Sequence, residues 1–236
     1  MKQLHYIQRQ ILNKLLFSEG LKFSELKPDE KLENNQFTFH LKELLRARLI
    51  QKEKNIYKLT IKGKEYANTM DTDNAQVMKQ AKVSAISCLI KKTKGGYEYL
   101  IYTRLKQPFF GRQGFPSGKV KWGERITDAC KREMEEETGL SIKPELFKIS
   151  HQMVFKIPGH ELIEDKIFFF FRALNPKGKL IPNNEGKYEW VAEKDLNEYI
   201  KKPFESKKDV LGTAMEAKNF KGNIEFEEHE HLTEEF

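Results

Sequence analysis

The sequence predicts an α/β protein in two parts, a small α+β region followed by a larger region that alternates strands and helices. Within the first 70 residues, apolar side chains recur at helical spacing. A polar stretch without clear periodicity follows at 71–80. Beyond residue 82, strand-like segments flank one strongly helical segment at 126–138.

The composition is that of a folded protein. The chain has 236 residues, of which 39% are hydrophobic, so it can form one large domain or two small ones with packed cores. No apolar run approaches the roughly 20 residues of a membrane span, and the N-terminus does not resemble a signal peptide. Cys88 and Cys130 lack metal-binding or disulfide spacing. We therefore expect a cytoplasmic protein without a membrane partner.

The net charge of +7 is unevenly distributed. Residues 1–70 contain 14 Lys and Arg against 8 Asp and Glu, whereas residues 224–236 contain six Glu and no Lys or Arg. The basic region is compatible with a polyanionic partner, and equally with lysines that only confer solubility. We expect 224–236 to be a separate, mobile acidic tail.

The first domain is predicted at 1–70, before a linker at 71–82. Its apolar periodicity predicts helices over 3–17, 23–26, 34–48 and 63–70, and two strands, 49–51 and 57–61, around a turn at 54–55. The second domain is predicted at 83–223. Its strands are expected at 83–90, 97–104, 147–155, 166–174 and 188–191, its helices at 126–138, 193–200 and 208–218, and its loops at 111–118 and 158–165.

The segment 118–140, GKVKWGERITDACKREMEEETGL, carries the strongest chemical signal. Glu133, Glu136 and Glu137 stand at i, i+3 and i+4, so they share one helix face and repel each other. A bound cation would relieve this repulsion, and carboxylate oxygens suit Mg²⁺ or Mn²⁺. The alternative is a solvated acidic helix face. Arg132 can hold a carboxylate by a bidentate pair, and Gly139 suits the helix end.

This segment resembles the signature of the Nudix hydrolases, Gly-x5-Glu-x7-Arg-Glu-U-x-Glu-Glu-x-Gly-U, in which U is apolar. Every fixed position is filled: Gly118, Glu124, Arg132, Glu133, Met134, Glu136, Glu137, Gly139 and Leu140. The preceding GFPSG departs from the family's usual Pro-Gly-Gly at Ser117. The strand pattern over about residues 80–220 resembles the family's α/β/α sandwich with a mixed sheet.

The resemblance implies Mg²⁺- or Mn²⁺-dependent hydrolysis of the diphosphate linkage in a nucleotide derivative. It implies that Glu136 and Glu137 bind the metal, with Glu124 and the Gly118 carbonyl as further ligands. Glu133 would orient or deprotonate the attacking water, or bind metal, and Arg132 would hold the glutamates. We therefore predict Glu133, Arg132 and Glu136 as catalytic residues. These roles agree with the chemistry, because a metal activates water and neutralises phosphate charge.

Family members often add a carboxylate from a late loop. Glu185 is favoured for this metal position because it precedes the strand containing Trp190, and Glu164, Asp165 and Glu189 are alternatives. Basic and aromatic residues near the motif are candidates for contacting phosphates and base, although each can equally be a surface or core residue. The predicted substrate-binding residues are Arg104, Arg112, Lys119 and Phe109, with Lys106, Phe110 and Tyr102 as further candidates.

The segment 37–67, FTFHLKELLRARLIQKEKNIYKLTIKGKEYA, resembles the recognition helix and wing of bacterial winged-helix regulators. The resemblance implies a helix in the major groove of DNA and a wing on the phosphates. The candidate DNA contacts are Asn35, Gln36, Thr38, His40, Lys42, Lys52 and Lys54. A module for homodimerisation or partner docking, and an RNA-binding module, are alternatives.

Two functions compete. One is an enzyme acting on a nucleotide-type substrate, with the N-terminal domain localising or dimerising it. The other is a transcriptional regulator whose Nudix-like domain senses a nucleotide metabolite. The complete set of glutamates favours the enzyme, and makes a purely structural adaptor the weakest alternative. The identity of the nucleotide stays open, because variable loops read the group attached to the diphosphate.

Overall fold

The computed structural model describes residues 4–71, 73, 75–181, 183–222 and 224–233. The chain divides between Lys79 and Gln80 into two compact units. In the described ranges, no helix has the length and apolar character needed to cross a membrane.

The described residues of the N-terminal unit form four helices and a small antiparallel sheet. Its elements are α1 (Tyr6–Leu16), β1 (Leu21–Lys22), α2 (Phe23–Leu26), α3 (Asn34–Arg46), β2 (Ile50–Glu53), β3 (Ile56–Leu59) and α4 (Ile61–Ala67). The sheet order is β1-β3-β2. The helices and the β2–β3 hairpin follow the predicted order, whereas β1 was not predicted, because two residues are too few to show a strand period.

The core of this unit forms where the apolar faces of α1 and α3 meet. Ile11 and Leu15 of α1 and Phe37 and Leu44 of α3 are almost completely buried. The first part of the predicted linker packs here as well, since Arg9 Nε donates a hydrogen bond to the Ala75 carbonyl at 2.8 Å. The segment is therefore not a free connection over its whole length.

The second unit is built around a long mixed sheet. Its elements are β4 (Lys82–Thr93), β5 (Gly96–Arg104), β6 (Gln113–Gly114), β7 (Ser117–Lys119), α5 (Ile126–Thr138), β8 (Leu140–Ser141), β9 (Glu145–Lys156), β10 (Glu161–Leu174), β11 (Lys177–Gly178), β12 (Gly186–Ala192), a 3-10 turn (Glu193–Asp195), α6 (Leu196–Tyr199), α7 (Lys207–Asn219) and β13 (Glu225–Thr233).

The large sheet has the strand order β12-β5-β4-β10-β9-β13, with β6 beside β5 and β7 beside β4. The pairs β4–β10 and β9–β13 are parallel and the other pairs are antiparallel. Helix α5 covers one face through Cys130 and Met134, and α7 belongs to the core on the other through Val210 and Ala214. The predicted mixed-sheet α/β/α sandwich is confirmed.

Three predicted loops or tails differ in the structure. The acidic tail is not separate as expected, because its residues 225–233 form β13 beside β9, while 234–236 lie outside the described residues. The expected loop 158–165 narrows to a turn, since β10 begins at Glu161. The expected loop 111–118 contains β6 and most of β7. Each of the three segments forms a strand because its backbone pairs with a neighbouring strand, and the periodicity of its side chains does not reveal this pairing.

Candidate active site

Helix α5 packs its apolar residues against the sheet. Ala129, Cys130 and Met134 are fully buried, Glu133 and Glu137 beside them are half-buried, and Glu136 is exposed. The helix ends at Gly139, whose φ of 71° is left-handed, as the motif predicts. Glu133 of this helix lies beside the short strand β7, which pairs with β4.

Arg132 gathers three of the four motif glutamates. Its Nε and Nη2 donate to the two Glu124 oxygens at 2.7 and 3.0 Å, and its Nη1 donates to Glu133 at 2.7 Å and Glu136 at 3.0 Å. The hydrogen bonds from Arg132 lower the pKa of Glu124 to about 2. A guanidinium has the planar array of donors that this bridging requires.

Glu137 has different surroundings. It accepts a hydrogen bond from the Tyr188 hydroxyl of β12, and its backbone carbonyl accepts one from Asn183 Nδ2 at 3.1 Å. Burial raises the pKa of Glu137, the hydrogen bond from Tyr188 opposes this shift, and the charge of Glu133 adds to it. Glu137 and Glu133 are thus two neighbouring carboxylates that repel each other when both are charged.

Glu133 lies directly on the backbone of β7. A Cβ atom built on Gly118 would lie 2.0 Å from Glu133 Cγ, far inside any real contact. Gly118 pairs with Ala85 of β4, so its backbone is held by the sheet. Position 118 must therefore lack a side chain for Glu133 to occupy this place.

The donor set fits a hard divalent cation by its chemistry. Carboxylate oxygens are the ligands that Mg²⁺ prefers, and a cation beside Glu133 and Glu137 would offset their repulsion. In the described part of the chain, however, no three His, Cys, Asp or Glu side chains converge tightly enough to hold an ion as they stand. In this arrangement Glu124, Glu133 and Glu136 each form an ion pair with Arg132.

A cavity of about 880 Å³ connects the glutamates with the sheet face under α7. Near α5 it is lined by Glu133, Glu136 and Glu137, and its apolar floor includes Phe168 and Phe170. Its other end is polar. There the side-chain amide of Gln152 donates to Glu205, and Asp209 and Thr213 of α7 complete the wall.

A NUDIX domain profile matches residues 81–211, more than half of the chain. The chain belongs to the NUDIX family. It is 32% identical over 111 residues to an 8-oxo-dGTP diphosphatase of Buchnera aphidicola subsp. Schizaphis graminum (strain Sg), an alignment that covers 47% of this chain and 77% of that protein.

Solved structures of Nudix proteins are similar to this chain. One is a MutT protein from Bacillus halodurans, with 25% identity and a TM-score of 0.45 over 58% of this chain and 80% of that one. Another is the NUDIX domain of Shewanella oneidensis NrtR in complex with ADP ribose, with 16% identity and a TM-score of 0.49 over 65% of this chain and 95% of that one.

The four late carboxylates considered for the Nudix metal site lie in different places. Glu185 lines the cavity and forms an ion pair with Lys106. Glu164 lines the cavity at the polar end, where Lys82 and Lys166 each pair with it at 2.9 Å. Asp165 contacts His151, and Glu189 contacts Lys187 and Tyr199, outside the cavity lining. Glu185 and Glu164 therefore line the cavity, whereas Asp165 and Glu189 do not.

Of the four predicted substrate-binding residues, three line the cavity and one does not. Lys119, Phe109 and Arg104 line the cavity. Arg104 also braces the following loop, since its Nε donates to the Pro108 carbonyl at 2.6 Å. Arg112 was also expected to contact the substrate, but it is not in the cavity lining. Its guanidinium donates a hydrogen bond to the Pro203 carbonyl at 3.1 Å.

The sequence did not predict several residues that line the cavity: Gln152, Asn183, Phe204, Glu205, Asp209 and Thr213. It also did not indicate Tyr188, which contacts the motif from a strand that was predicted but not linked to the site. None of these residues belongs to a spaced motif. A polar Gln152 at a buried strand position was the one local signal.

The candidate nucleic-acid residues of the N-terminal unit are mostly solvent-exposed. Asn35, Gln36, Lys42, Lys52 and Lys54 are exposed, and Thr38 is half-buried. His40 was wrongly included, because its side chain is 6% exposed. It follows Phe37 by three residues and so shares the core-facing side of α3, where its ring stacks on His5 at 4.4 Å.

Proposed function

We propose that the Nudix domain hydrolyses the diphosphate linkage of a nucleotide derivative with Mg²⁺ or Mn²⁺. The observation that carries this proposal is a cavity that joins three motif glutamates of α5, Glu133, Glu136 and Glu137, to a chamber with apolar and hydrogen-bonding walls. Its volume of about 880 Å³ lies in the range of small-molecule sites.

Different side chains would act on the attacking water and on the phosphates. When bound, a divalent cation supplies charge neutralisation and an acidified water. Glu133 faces the cavity beside Gly118, where its carboxylate can orient a water molecule or accept its proton. Lys119 and Lys106 line the same end and supply positive charge for phosphate oxygens.

The polar end of the cavity suits a guanine-type base. A carboxylate such as that of Glu205 accepts hydrogen bonds, and guanine presents two adjacent donors, N1–H and the 2-amino group. Adenine, cytosine and uracil each place an acceptor beside their donor on this edge. The relative that is 32% identical is an 8-oxo-dGTP diphosphatase, which makes purine nucleoside triphosphates the first substrates to examine.

The test is hydrolysis of a nucleotide panel, including dGTP, 8-oxo-dGTP, ADP-ribose, a dinucleoside polyphosphate and a sugar nucleotide, with Mg²⁺ or Mn²⁺. Glu136→Gln removes one motif carboxylate, and Glu145→Gln is the matched control outside the cavity. We expect metal-dependent turnover that is lost in Glu136→Gln and kept in Glu145→Gln. No turnover of any substrate by the wild type would contradict the proposal.

For the N-terminal unit we propose a winged-helix module that binds DNA. Support comes from the solvent-facing row on α3, Asn35, Phe39, Lys42 and Arg46, and from Lys52 and Lys54 on the β2–β3 hairpin. Lysines on such a hairpin can contact phosphates, whereas polar side chains on a helix can read base edges. The alternatives are a dimerisation or docking module and an RNA-binding module.

A fluorescent DNA duplex titrated with the full chain tests this second proposal. Lys52→Glu with Lys54→Glu should weaken binding and flatten its salt dependence, because phosphate contacts release counterions. Lys194→Glu with Lys201→Glu makes the same charge change in the Nudix domain and serves as control. An absence of duplex binding even at low salt would end both the DNA-binding proposal and the alternative of a transcriptional regulator.

A further inference from the structure

Glu137 is held by strand β12, whereas the other motif glutamates are held by Arg132 of α5. Arg132 contacts Glu124, Glu133 and Glu136, whereas the hydrogen bond recorded on the Glu137 carboxylate from outside its helix comes from Tyr188. The hydroxyl of Tyr188 donates to Glu137 Oε2. A donor fixed on one carboxylate oxygen restricts the rotation of that carboxylate.

Tyr188 is itself held firmly. It stands opposite Tyr102 in the β5–β12 register, and the two rings lie 5.1 Å apart. The Tyr102 hydroxyl donates to the Glu185 carbonyl at 3.2 Å. The Tyr102 ring also covers Gly186, where an added Cβ would lie 1.9 Å from a ring carbon. The position of the Tyr188 hydroxyl is therefore set by packing.

The loop before β12 is attached to the same helix end. Asn183 Nδ2 donates to the Glu137 carbonyl at 3.1 Å. Asn183 Oδ1 accepts hydrogen bonds from the backbone N–H groups of Glu185, at 2.6 Å, and Gly186, at 3.1 Å. Main chain and side chain of Glu137 are thus both fastened to residues 183–188.

We propose that Tyr188 is a positioning residue that presets the carboxylate of Glu137 for divalent-metal binding. This inference rests on the metal role of Glu137 in the proposed function. Partners that hydrogen-bond to metal ligands orient them, and their loss typically lowers metal affinity roughly 10- to 100-fold. Tyr188 would touch neither the reacting atoms nor the metal, and would act through Glu137.

The substitution Tyr188→Phe removes the hydroxyl and keeps the ring that packs on Tyr102. The matched control is Tyr199→Phe, because the Tyr199 hydroxyl also donates to a glutamate, Glu189, and neither residue lines the cavity. Both variants lose one tyrosine hydroxyl bonded to a carboxylate. Only Tyr188→Phe loses one bonded to a motif glutamate.

The experiment measures Mn²⁺ binding to the full chain without nucleotide, by electron paramagnetic resonance, and the Mg²⁺ concentration that gives half-maximal turnover. We expect Tyr188→Phe to weaken Mn²⁺ binding roughly 10-fold and to raise the Mg²⁺ requirement, with Tyr199→Phe unchanged. The KM for nucleotide at saturating Mg²⁺ should stay near the wild-type value. A general distortion of the site would instead change both the metal affinity and this KM.

The outcomes separate this inference from the proposed function. Equal Mn²⁺ affinity in the wild type and Tyr188→Phe would overturn the inference alone. Mn²⁺ binding without hydrolysis of any nucleotide would overturn the proposed function, and the comparison of affinities would still decide the inference. A wild type that binds no Mn²⁺ at millimolar concentration would overturn the inference, because Glu137 would then have no metal role in the free protein.

Discussion

Glu133 of α5 rests on Gly118 of β7 so closely that a methyl group on residue 118 would fall 2.0 Å from Glu133 Cγ. Because β7 is paired with β4, its backbone cannot withdraw without breaking sheet hydrogen bonds. The glycine that opens the motif and a glutamate 15 positions later are thus two halves of one contact. The site depends on this contact as much as on the carboxylates themselves.

Gly118→Ala should therefore displace Glu133 and lower turnover about 100-fold, since a shift of about 1 Å in a catalytic group has effects of that size. The control is Gly212→Ala, where an added Cβ meets open space and removal of a helix glycine should stabilise slightly. Steady-state kinetics and thermal unfolding of both variants measure this. Wild-type turnover in Gly118→Ala would show that Glu133 need not lie on β7.

Arg132→Lys should lower turnover strongly, by about 10- to 100-fold, although the positive charge is kept. Lysine cannot bridge three carboxylates with a planar fork, so Glu124, Glu133 and Glu136 would lose their common anchor. Arg172→Lys is the matched control, because Arg172 pairs with Glu145 away from the cavity. Equal activity of the two variants would mean that charge alone is sufficient at position 132.

Glu205→Gln should reduce the preference for GTP over ITP, which lacks the 2-amino group. Loss of a hydrogen bond between a base edge and a half-buried carboxylate such as Glu205 changes kcat/KM by about 10-fold or more. Glu216→Gln, which removes a carboxylate paired with Lys148 outside the cavity, should leave the ratio unchanged. Equal hydrolysis of GTP and ITP by the wild type would refute the guanine-type assignment.

Glu164 should make the stability of the Nudix domain depend on pH. Burial acts to raise the pKa of Glu164, but hydrogen bonds from Lys82 and Lys166 outweigh it and lower the pKa below its usual value. A depressed carboxyl pKa stabilises the fold above the unfolded value of about 4.3, and this stabilisation is lost as the pH falls through the folded value.

Glu164→Gln should accordingly lower the free energy of unfolding by about 2 kcal/mol at pH 7, with the difference shrinking towards pH 3. Urea unfolding followed by tryptophan fluorescence reports on this domain, since Trp122 and Trp190 both belong to it. Glu161→Gln is the exposed control on the same strand. A difference that stays constant with pH would point to packing as its cause.

Local patterns in the sequence were sufficient for the helices and for the carboxylate set. Helix α5 begins and ends at the predicted residues, and Gly139 ends it. Glu133, Glu136 and Glu137 are neighbours on this helix because it has 3.6 residues per turn. The Nudix family and its mixed sheet follow from the same motif. Spacing within one helix determines which side chains are neighbours.

Only the tertiary structure decided which distant residues meet the motif. In the folded protein His40 is buried in the core, and Arg112 donates a hydrogen bond to the Pro203 carbonyl. Gln152 and Glu205, 53 positions apart in the sequence, are hydrogen-bonded to each other. The fold also joins Tyr188 to Glu137, and pairs residues 225–233 with β9. These contacts depend on strand order and register, which are set by backbone hydrogen bonds and by packing of the whole core, and no local period in the sequence encodes them.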